Sequence, residues 1–151
     1  MGKNKDLTAQ LDTLIESLKK NQLKVTPTRM LILESLLKNH GPFSAEDIQK
    51  KFIKKDHDLA TIYRNLQSLD EAGILRRCEF GDGIARYELI DPDHGHHHHH
   101  LICRKCKKIE VVDACELEPT IHHFVKKHGF ADVSHILEFF GVCPDCQESS
   151  R

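Results

Sequence analysis

Apolar residues recur every three or four positions through residues 7–69, the spacing that places side chains on one face of an α-helix. Thr26, Ser44 and Asp58 each stand where a side-chain oxygen can cap a helix, and Gly73 stands where a helix can end. The pattern therefore predicts four helices: one that ends near Asn21, one that begins after Thr26, one over 44–53 and one over 58–73.

After Gly73 the apolar pattern shortens to that of β-strands. The segments "ILRRCEF" and "IARYELI" flank the glycine turn "GDG" at 81–83, which is typical of a β-hairpin. Helices followed by a hairpin indicate a winged helix-turn-helix, and we assign this domain to residues 1–90.

The fourth predicted helix turns a polar face away from its apolar stripe, and this face carries chemistry suited to DNA. Small Ala60 and Thr61 allow close approach to a groove, and Tyr63 can contact a thymine methyl group or a phosphate. Arg64 can reach a phosphate or a guanine edge, and basic residues at the start of the second helix can contact the DNA backbone. A solvated helix surface is the alternative interpretation. The candidate DNA-binding residues are Lys24, Arg29, Ala60, Thr61, Tyr63 and Arg64.

Composition narrows the class of protein. A chain of 151 residues with 39% hydrophobic residues suits two small domains. It has no apolar stretch near the roughly 20 residues that cross a bilayer, and "MGKNKDLTAQ" lacks the apolar run of a signal peptide. We therefore expect a soluble, cytoplasmic protein without a membrane partner. Its six cysteines are then more often metal ligands than disulfides.

Two C-x-x-C motifs predict a zinc site in the second half of the chain. They are separated by 36 residues, so a small subdomain must fold between them. Four thiolates suit tetrahedral zinc and leave no position open, which favours a structural rather than a catalytic role. The predicted ligands are Cys103, Cys106, Cys143 and Cys146; Cys78 and Cys115 are interpreted as buried small residues.

Five consecutive histidines precede the first cysteine motif. If "HHHHHLIC" is a strand, His97 and His99 face one way, and His98 and His100 face the other with His96, so the run can supply two metal sites. Completing ligands for the first site are Glu118, on a helix over about 116–128, and His135, on the strand "VSHILEFF". Glu88 can join His98 and His100 in the second. Such ligands suit Zn²⁺, Fe²⁺, Mn²⁺ or Ni²⁺, and spacing does not choose among them.

Two other functional classes are compatible with these residues. A zinc hydrolase would use an open coordination position, but the chain lacks the H-E-x-x-H motif, and we expect no enzymatic activity. A metal-storage protein would use the histidine run only to hold ions.

The motifs together resemble the ferric uptake regulator family of metal-dependent repressors. The resemblance runs through "LKVTPTR", "SAEDI", "LATIYRNL", "GDGIARYEL", the histidine run, "LICRKC", "KHGF" and "FFGVCPDC". It implies a homodimer that binds palindromic, AT-rich operators in double-stranded DNA when loaded with metal. The expected fold class is α+β: the winged helix-turn-helix domain, a hinge over 91–95, and a small α/β dimerisation domain with a four-cysteine zinc site over 96–151.

The resemblance also implies roles for the ligand sets. The four cysteines correspond to the structural zinc site. A second site in the dimerisation domain corresponds to His97, His99, Glu118 and His135, and the regulatory site between the domains to Glu88, His98 and His100. The family adds a histidine two residues before the serine of "SAED", where this chain has Pro42. His40, two residues earlier, is the candidate substitute.

The resemblance leaves the regulatory metal open. Glu88 matches the iron-type ligand, whereas His99 stands where the iron-type pattern often has an aspartate, which favours zinc. We expect an iron-responsive repressor of iron uptake, with Zn²⁺ as the structural metal and Fe²⁺ as the regulatory one. A zinc-uptake regulator is the alternative, with Mn²⁺ or Ni²⁺ less favoured and a peroxide sensor also compatible.

Overall fold

The structure is a computed structural model that describes residues 2–39, 41–53, 57–90, 98–112, 118–131, 133 and 135–149, with side chains from residue 7 and without that of Glu118. The chain divides into two compact units, Met1–Ile90 and Asp91–Arg151. The hinge predicted over 91–95 lies outside the described residues, as do His40, His97 and Cys115.

The first unit contains the four predicted helices. They are α1 (Gly2–Lys20), α2 (Pro27–Lys38), α3 (Ala45–Ile48, continued by a π-helical turn over Gln49–Ile53) and α4 (Leu59–Glu71). The Thr26 side chain accepts from the Arg29 N–H, and Asp58 accepts from the Thr61 N–H. Ser44 and Asp47 form a reciprocal capping box. The predicted caps are therefore confirmed, whereas the third helix widens in its last turn.

A three-stranded antiparallel sheet completes this unit. Its strands are β1 (Phe43–Ser44), β2 (Leu75–Cys78) and β3 (Arg86–Leu89), in the order β1-β3-β2. The hairpin of β2 and β3 was predicted, but its connection spans residues 79–85 instead of three. Gly81 and Gly83 both have φ of +73°, a backbone conformation that favours glycine.

One apolar core holds α4 against the rest of this unit. Burying a leucine or isoleucine side chain completely stabilises the fold by about 1.5–3 kcal/mol. Since Ile62, Leu66 and Leu69 of α4 are fully buried, the opposite face of that helix is fixed toward solvent. The largest fully buried side chains are Leu18, Ile32, Leu33, Ile48, Ile62, Leu66, Leu69 and Leu75.

The second unit is a small α/β structure. It contains β4 (His99–Cys103), β5 (Ile109–Val112), α5 (Glu118–Lys127), β6 (Glu138–Gly141) and α6 (Pro144–Glu148). The sheet has the order β5-β4-β6, with β4 antiparallel to β5 and parallel to β6. The fold class, α+β with a winged helix-turn-helix followed by an α/β unit, is confirmed.

The last predicted strand is shorter than its sequence indicated. The segment "VSHILEFF" was expected to be extended throughout, but β6 begins at Glu138, so His135 precedes the strand. Strand β6 forms only where it can pair with β4. Its first residue, Glu138, lies opposite His100, and β4 itself begins one residue earlier, at His99. Strand β5 and helix α6 were not predicted.

The second unit exposes many large apolar side chains. Leu101 of β4 lies beside Phe139 of β6, and these side chains are 43% and 42% exposed. We call Leu101, Phe139 and Val142, which line one shallow depression, the apolar surface of this unit. Exposed large apolar side chains grouped in this way are typical of an interaction site. None of the described helices is both long and apolar enough to span a bilayer.

Candidate metal sites and DNA-reading surface

Four cysteines lie together where β4 and β6 end. Cys103 is the last residue of β4, and a tight turn closed by the bond from the Lys107 N–H to the Cys103 carbonyl (3.0 Å) brings Cys106 close. Cys143 directly precedes α6 and Cys146 lies within it. The four Sγ atoms all lie within 4.8 Å of one another.

The spacing of these sulfurs suits a zinc ion and not a disulfide. The Sγ atoms of Cys106 and Cys143 are 3.6 Å apart, whereas a disulfide requires about 2.05 Å. Tetrahedral zinc with bonds of about 2.3 Å holds its sulfur ligands about 3.8 Å apart. The donor set therefore fits Zn²⁺ with all four positions filled by protein, as in structural sites.

The polypeptide prepares one sulfur of this cluster for metal binding. The Cys143 N–H donates to Cys103 Sγ (3.4 Å), and with further backbone donors it lowers the pKa of Cys103 to about 6. Hydrogen bonding with the Cys143 and Cys106 sulfurs raises the pKa of Cys146 to about 12. Crowded sulfurs cannot all ionise without a nearby cation, since like charges repel. Zinc binding to this set should therefore release protons.

The histidines of β4 separate into two groups. The rings of His98 and His100 lie 5.2 Å apart between centroids, whereas the His99 ring lies 5.5 Å from that of His135. His99 and His100 are both buried. The side chains therefore alternate as predicted for a strand. Of the proposed second site, the structure brings His99 and His135 together; His97 and the Glu118 side chain are outside the described atoms.

Glu88 is a buried carboxylate on β3 of the first unit. Only 3% of its surface is exposed. The Arg76 guanidinium, cross-strand from it, donates through Nε to Glu88 Oε1 (2.8 Å), and the Cys78 thiol donates to the same oxygen (3.4 Å). A charged partner makes burial of a carboxylate tolerable and favours its ionised form. Cys78 is buried, as predicted, but its contact with Glu88 was not evident in the sequence.

The predicted outward polar face of α4 is exposed to solvent in the structure. Ala60, Tyr63 and Arg64 are exposed and Thr61 is half-buried. The Tyr63 hydroxyl donates to Glu46 Oε1 on α3 (2.8 Å), which raises the pKa of Tyr63. Arg64 Nη2 donates to Thr61 Oγ1 (3.1 Å). Glu46 was not singled out in the sequence, because no local pattern connects it with Tyr63.

The two basic candidates near α2 differ in position. Lys24 is exposed, but Arg29 is buried, with 9% of its surface accessible. Its guanidinium Nη1 donates to the Lys24 carbonyl (2.6 Å). In this structure Arg29 therefore supports the segment that carries Lys24 and does not lie on the surface expected for it. Burial follows from its place in the first turn of α2, which packs on the core.

The turn between β2 and β3 is held by a buried ion pair. Arg86 donates from Nη1 and Nη2 to the two carboxylate oxygens of Asp82 (3.0 and 2.8 Å), and Nη1 also reaches the Ile84 carbonyl (3.3 Å). The guanidinium lies 5.5 Å from the centre of the Phe80 ring. These contacts hold the connection between β2 and β3 against β3. We call β2, β3 and this connection the wing hairpin.

The first unit is a winged helix-turn-helix with an exposed polar face on α4, and the second unit brings thiols and imidazoles together. This combination defines a metal-responsive transcriptional regulator. Residues 20–140 match the sequence profile of the Ferric uptake regulator family. The chain belongs to this family.

Named relatives agree with this assignment. A ferric uptake regulation protein of Escherichia coli (strain K12) is 40% identical over 141 residues, covering 89% of this chain and 93% of its own length. The Helicobacter pylori ferric uptake regulator, described as having three functional metal binding sites, is 30% identical with a TM-score of 0.77, covering 96% of each chain. The Vibrio cholerae regulator, described with rearranged DNA-binding domains, is 33% identical with a TM-score of 0.72, covering 85% of this chain and 98% of its own.

Proposed function

We propose that this chain represses transcription by binding palindromic, AT-rich operator DNA as a homodimer when it is loaded with Fe²⁺. The observation that carries the proposal is the exposed face of α4, with Tyr63 and Arg64, on a winged helix of a chain in the Ferric uptake regulator family. Its relative in E. coli is named for ferric uptake regulation, which supports iron as the regulatory metal.

Three metal sites with separate roles belong to this proposal. Their ligands are Cys103, Cys106, Cys143 and Cys146 for structural zinc; His97, His99, Glu118 and His135 for a second site; and Glu88, His98 and His100, with His40 as a candidate fourth, for the regulatory site. The burial of His99 and His100, the pairing of the His98 and His100 rings, and the buried position of the Glu88 carboxylate beside Arg76 support ligand roles. Imidazole and carboxylate donors suit Fe²⁺ and also Zn²⁺.

The regulatory site would couple metal binding to DNA binding. A divalent ion held by ligands from both units would restrict their relative motion, which lowers the entropy lost when two reading heads engage DNA. Metal and DNA affinities must then be reciprocally coupled, typically by about 1–3 kcal/mol. The apolar surface of the second unit supports a homodimer, since two copies of Leu101 and Phe139 could cover each other.

A zinc-uptake regulator is the second candidate, favoured by one observation. His99, rather than a carboxylate, lies between His98 and His100, and a higher proportion of imidazole ligands shifts the metal preference toward Zn²⁺.

An anaerobic titration separates these candidates. Protein that retains its structural zinc is mixed with a labelled AT-rich palindromic duplex, and binding is followed as buffered Fe²⁺ or Zn²⁺ is added. Activation by micromolar Fe²⁺, with Zn²⁺ needed only above cellular free concentrations, would establish the iron regulator. Activation by free Zn²⁺ far below nanomolar would establish the zinc regulator, and no response to either ion would refute metal control.

A further inference from the structure

Tyr63 is held across the helix-turn-helix by a carboxylate. Its hydroxyl lies 2.8 Å from Glu46 Oε1, although 17 residues separate the two in the chain. An ionised carboxylate only accepts hydrogen bonds, so the phenol must be the donor. Among the described residues, no lysine or arginine side chain forms an ion pair with Glu46. The hydrogen bond from Tyr63 is therefore not in competition with an ion pair at the Glu46 carboxylate.

This contact decides what Tyr63 can offer to DNA. A phenol has one proton to donate, and Glu46 takes it, which leaves the exposed oxygen with its acceptor capacity. Phosphate oxygens are acceptors, so Tyr63 in this state cannot donate to the DNA backbone. The negative charge of Glu46 opposes a phosphate at the same place.

The major groove does offer donors to such an oxygen. The amino groups of adenine (N6) and cytosine (N4) are the base-edge donors there, whereas guanine and thymine present acceptors. Tyr63 is 40% exposed on the outward face of α4, so its oxygen is accessible to a base edge. Arg64 is held separately by Thr61 and does not compete for Glu46.

We propose that Glu46 is a specificity-determining residue, which fixes Tyr63 as a hydrogen-bond acceptor so that Tyr63 reads an adenine or cytosine amino group instead of anchoring on a phosphate. This inference rests on the proposed DNA-binding function. It assigns base discrimination to a residue pair in which one member carries a charge that disfavours DNA.

The test begins with an anaerobic selection from duplexes randomised across the binding site, using Fe²⁺-loaded full-length protein with its zinc. The preferred duplex is then compared with duplexes in which each base pair is replaced in turn. In Tyr63→Phe the preference at one position per half-site should fall about two- to tenfold, the value of one hydrogen bond. An unchanged base preference in this variant would overturn the inference.

Two substitutions of Glu46 separate its hydrogen bond from its charge. Glu46→Gln keeps an acceptor oxygen, so base preference should persist while affinity for all duplexes rises. Glu46→Ala releases the phenol proton, so the same preference should relax toward acceptor-bearing bases. If Glu46→Gln relaxed the preference as much as Glu46→Ala, charge and not the hydrogen bond would be the cause, and the inference would be wrong.

A double variant tests whether Glu46 acts through Tyr63. Tyr63→Phe with Glu46→Ala should lose no more preference than Tyr63→Phe alone, whereas additive losses would contradict coupling. Failure of the proposed function is recognisable separately, because wild-type protein would then select no duplex from the pool.

Discussion

Arg86 donates hydrogen bonds from Nη1 and Nη2 to the two carboxylate oxygens of Asp82, at 3.0 and 2.8 Å, and little of either side chain is exposed. The guanidinium lowers the pKa of Asp82 from 3.8 to about 2. A paired geometry of this kind is stronger than two separate contacts, because the planar fork matches the carboxylate. The wing is thereby ordered before it meets any partner.

Replacing Asp82 by Asn should destabilise the first unit by about 1–3 kcal/mol at neutral pH, since a nearly buried guanidinium loses its partner. A carboxyl with a lowered pKa stabilises the fold above its ordinary pKa, and this contribution is lost as pH falls from 3.8 toward 2. Urea denaturation followed by circular dichroism should show a smaller pH dependence in that window for the variant. Equal slopes for Asp82→Asn and the exposed control Glu71→Gln would contradict this role.

Replacing Glu46 by Gln should lower the pKa of Tyr63. Ionising Tyr63 in the wild type breaks its bond to Glu46 and places a phenolate beside a carboxylate, so a higher pH is required. The chain has only two tyrosines, and absorbance of Tyr63→Phe at alkaline pH isolates the buried Tyr87. An identical Tyr63 midpoint with and without Glu46 would show that the hydrogen bond does not persist in solution.

Replacing Cys103 by Ser should remove bound zinc and unfold the second unit, because a structural zinc ion contributes its binding energy to folding. Zinc content measured with a chromophoric chelator should fall from one ion to none at this site. Hydrogen exchange should become fast in β4 and β6 while α4 stays protected. Cys78→Ser is the matched control, since Cys78 lies on β2 in the first unit and should retain the zinc. Loss of zinc in both variants would argue against the four-cysteine assignment.

Replacing Glu88 by Gln, or His100 by Ala, should abolish the proposed metal-dependent DNA binding but leave the proposed homodimer intact. Regulatory metal affinity should fall by about 100-fold or more, because even loss of a residue that orients a ligand costs about 10- to 100-fold. Operator binding at saturating metal and sedimentation of the metal-free protein provide the two measurements. The exposed His128→Ala is the control, and wild-type operator affinity in the ligand variants would exclude these residues.

If the proposed homodimer forms through the apolar surface, replacing Leu101 by Asp should convert it to monomers. The side chain is exposed beside Phe139 in this chain, and burial of an unpaired carboxylate at an interface costs roughly several kcal/mol. Analytical ultracentrifugation over a dilution series provides the measurement. Lys20→Asp introduces the same group on the exposed end of α1 and should leave the dimer unchanged. A dimer of undiminished strength would place the interface elsewhere.

Local chemistry explains which elements the sequence predicted well. The caps at Thr26, Ser44 and Asp58 depend on groups within three residues, and the apolar period of α4 follows from a single core. These features need no knowledge of distant parts of the chain.

The features that were missed depend on distant partners. Strand β1 exists because Phe43 pairs with Tyr87, and two residues are too short to show a period. The Tyr63 contact requires α3 and α4 to pack before Glu46 is in reach. Arg29 was expected at the surface because its charge suggests exposure, whereas its contact with the Lys24 carbonyl is a property of the folded segment.

Strand β4 carries His99, His100 and Cys103 on five consecutive residues, with partners on both sides. A shift of one residue would send each side chain to the opposite face. Cys103, anchored among the other cysteines, sets the phase of the strand and so decides which face each imidazole occupies. The number of residues between the histidines and Cys103 therefore fixes the face on which each imidazole lies. Inserting or deleting a single residue there would turn His99 away from His135 and bring His98 and His100 to the face that His99 now occupies.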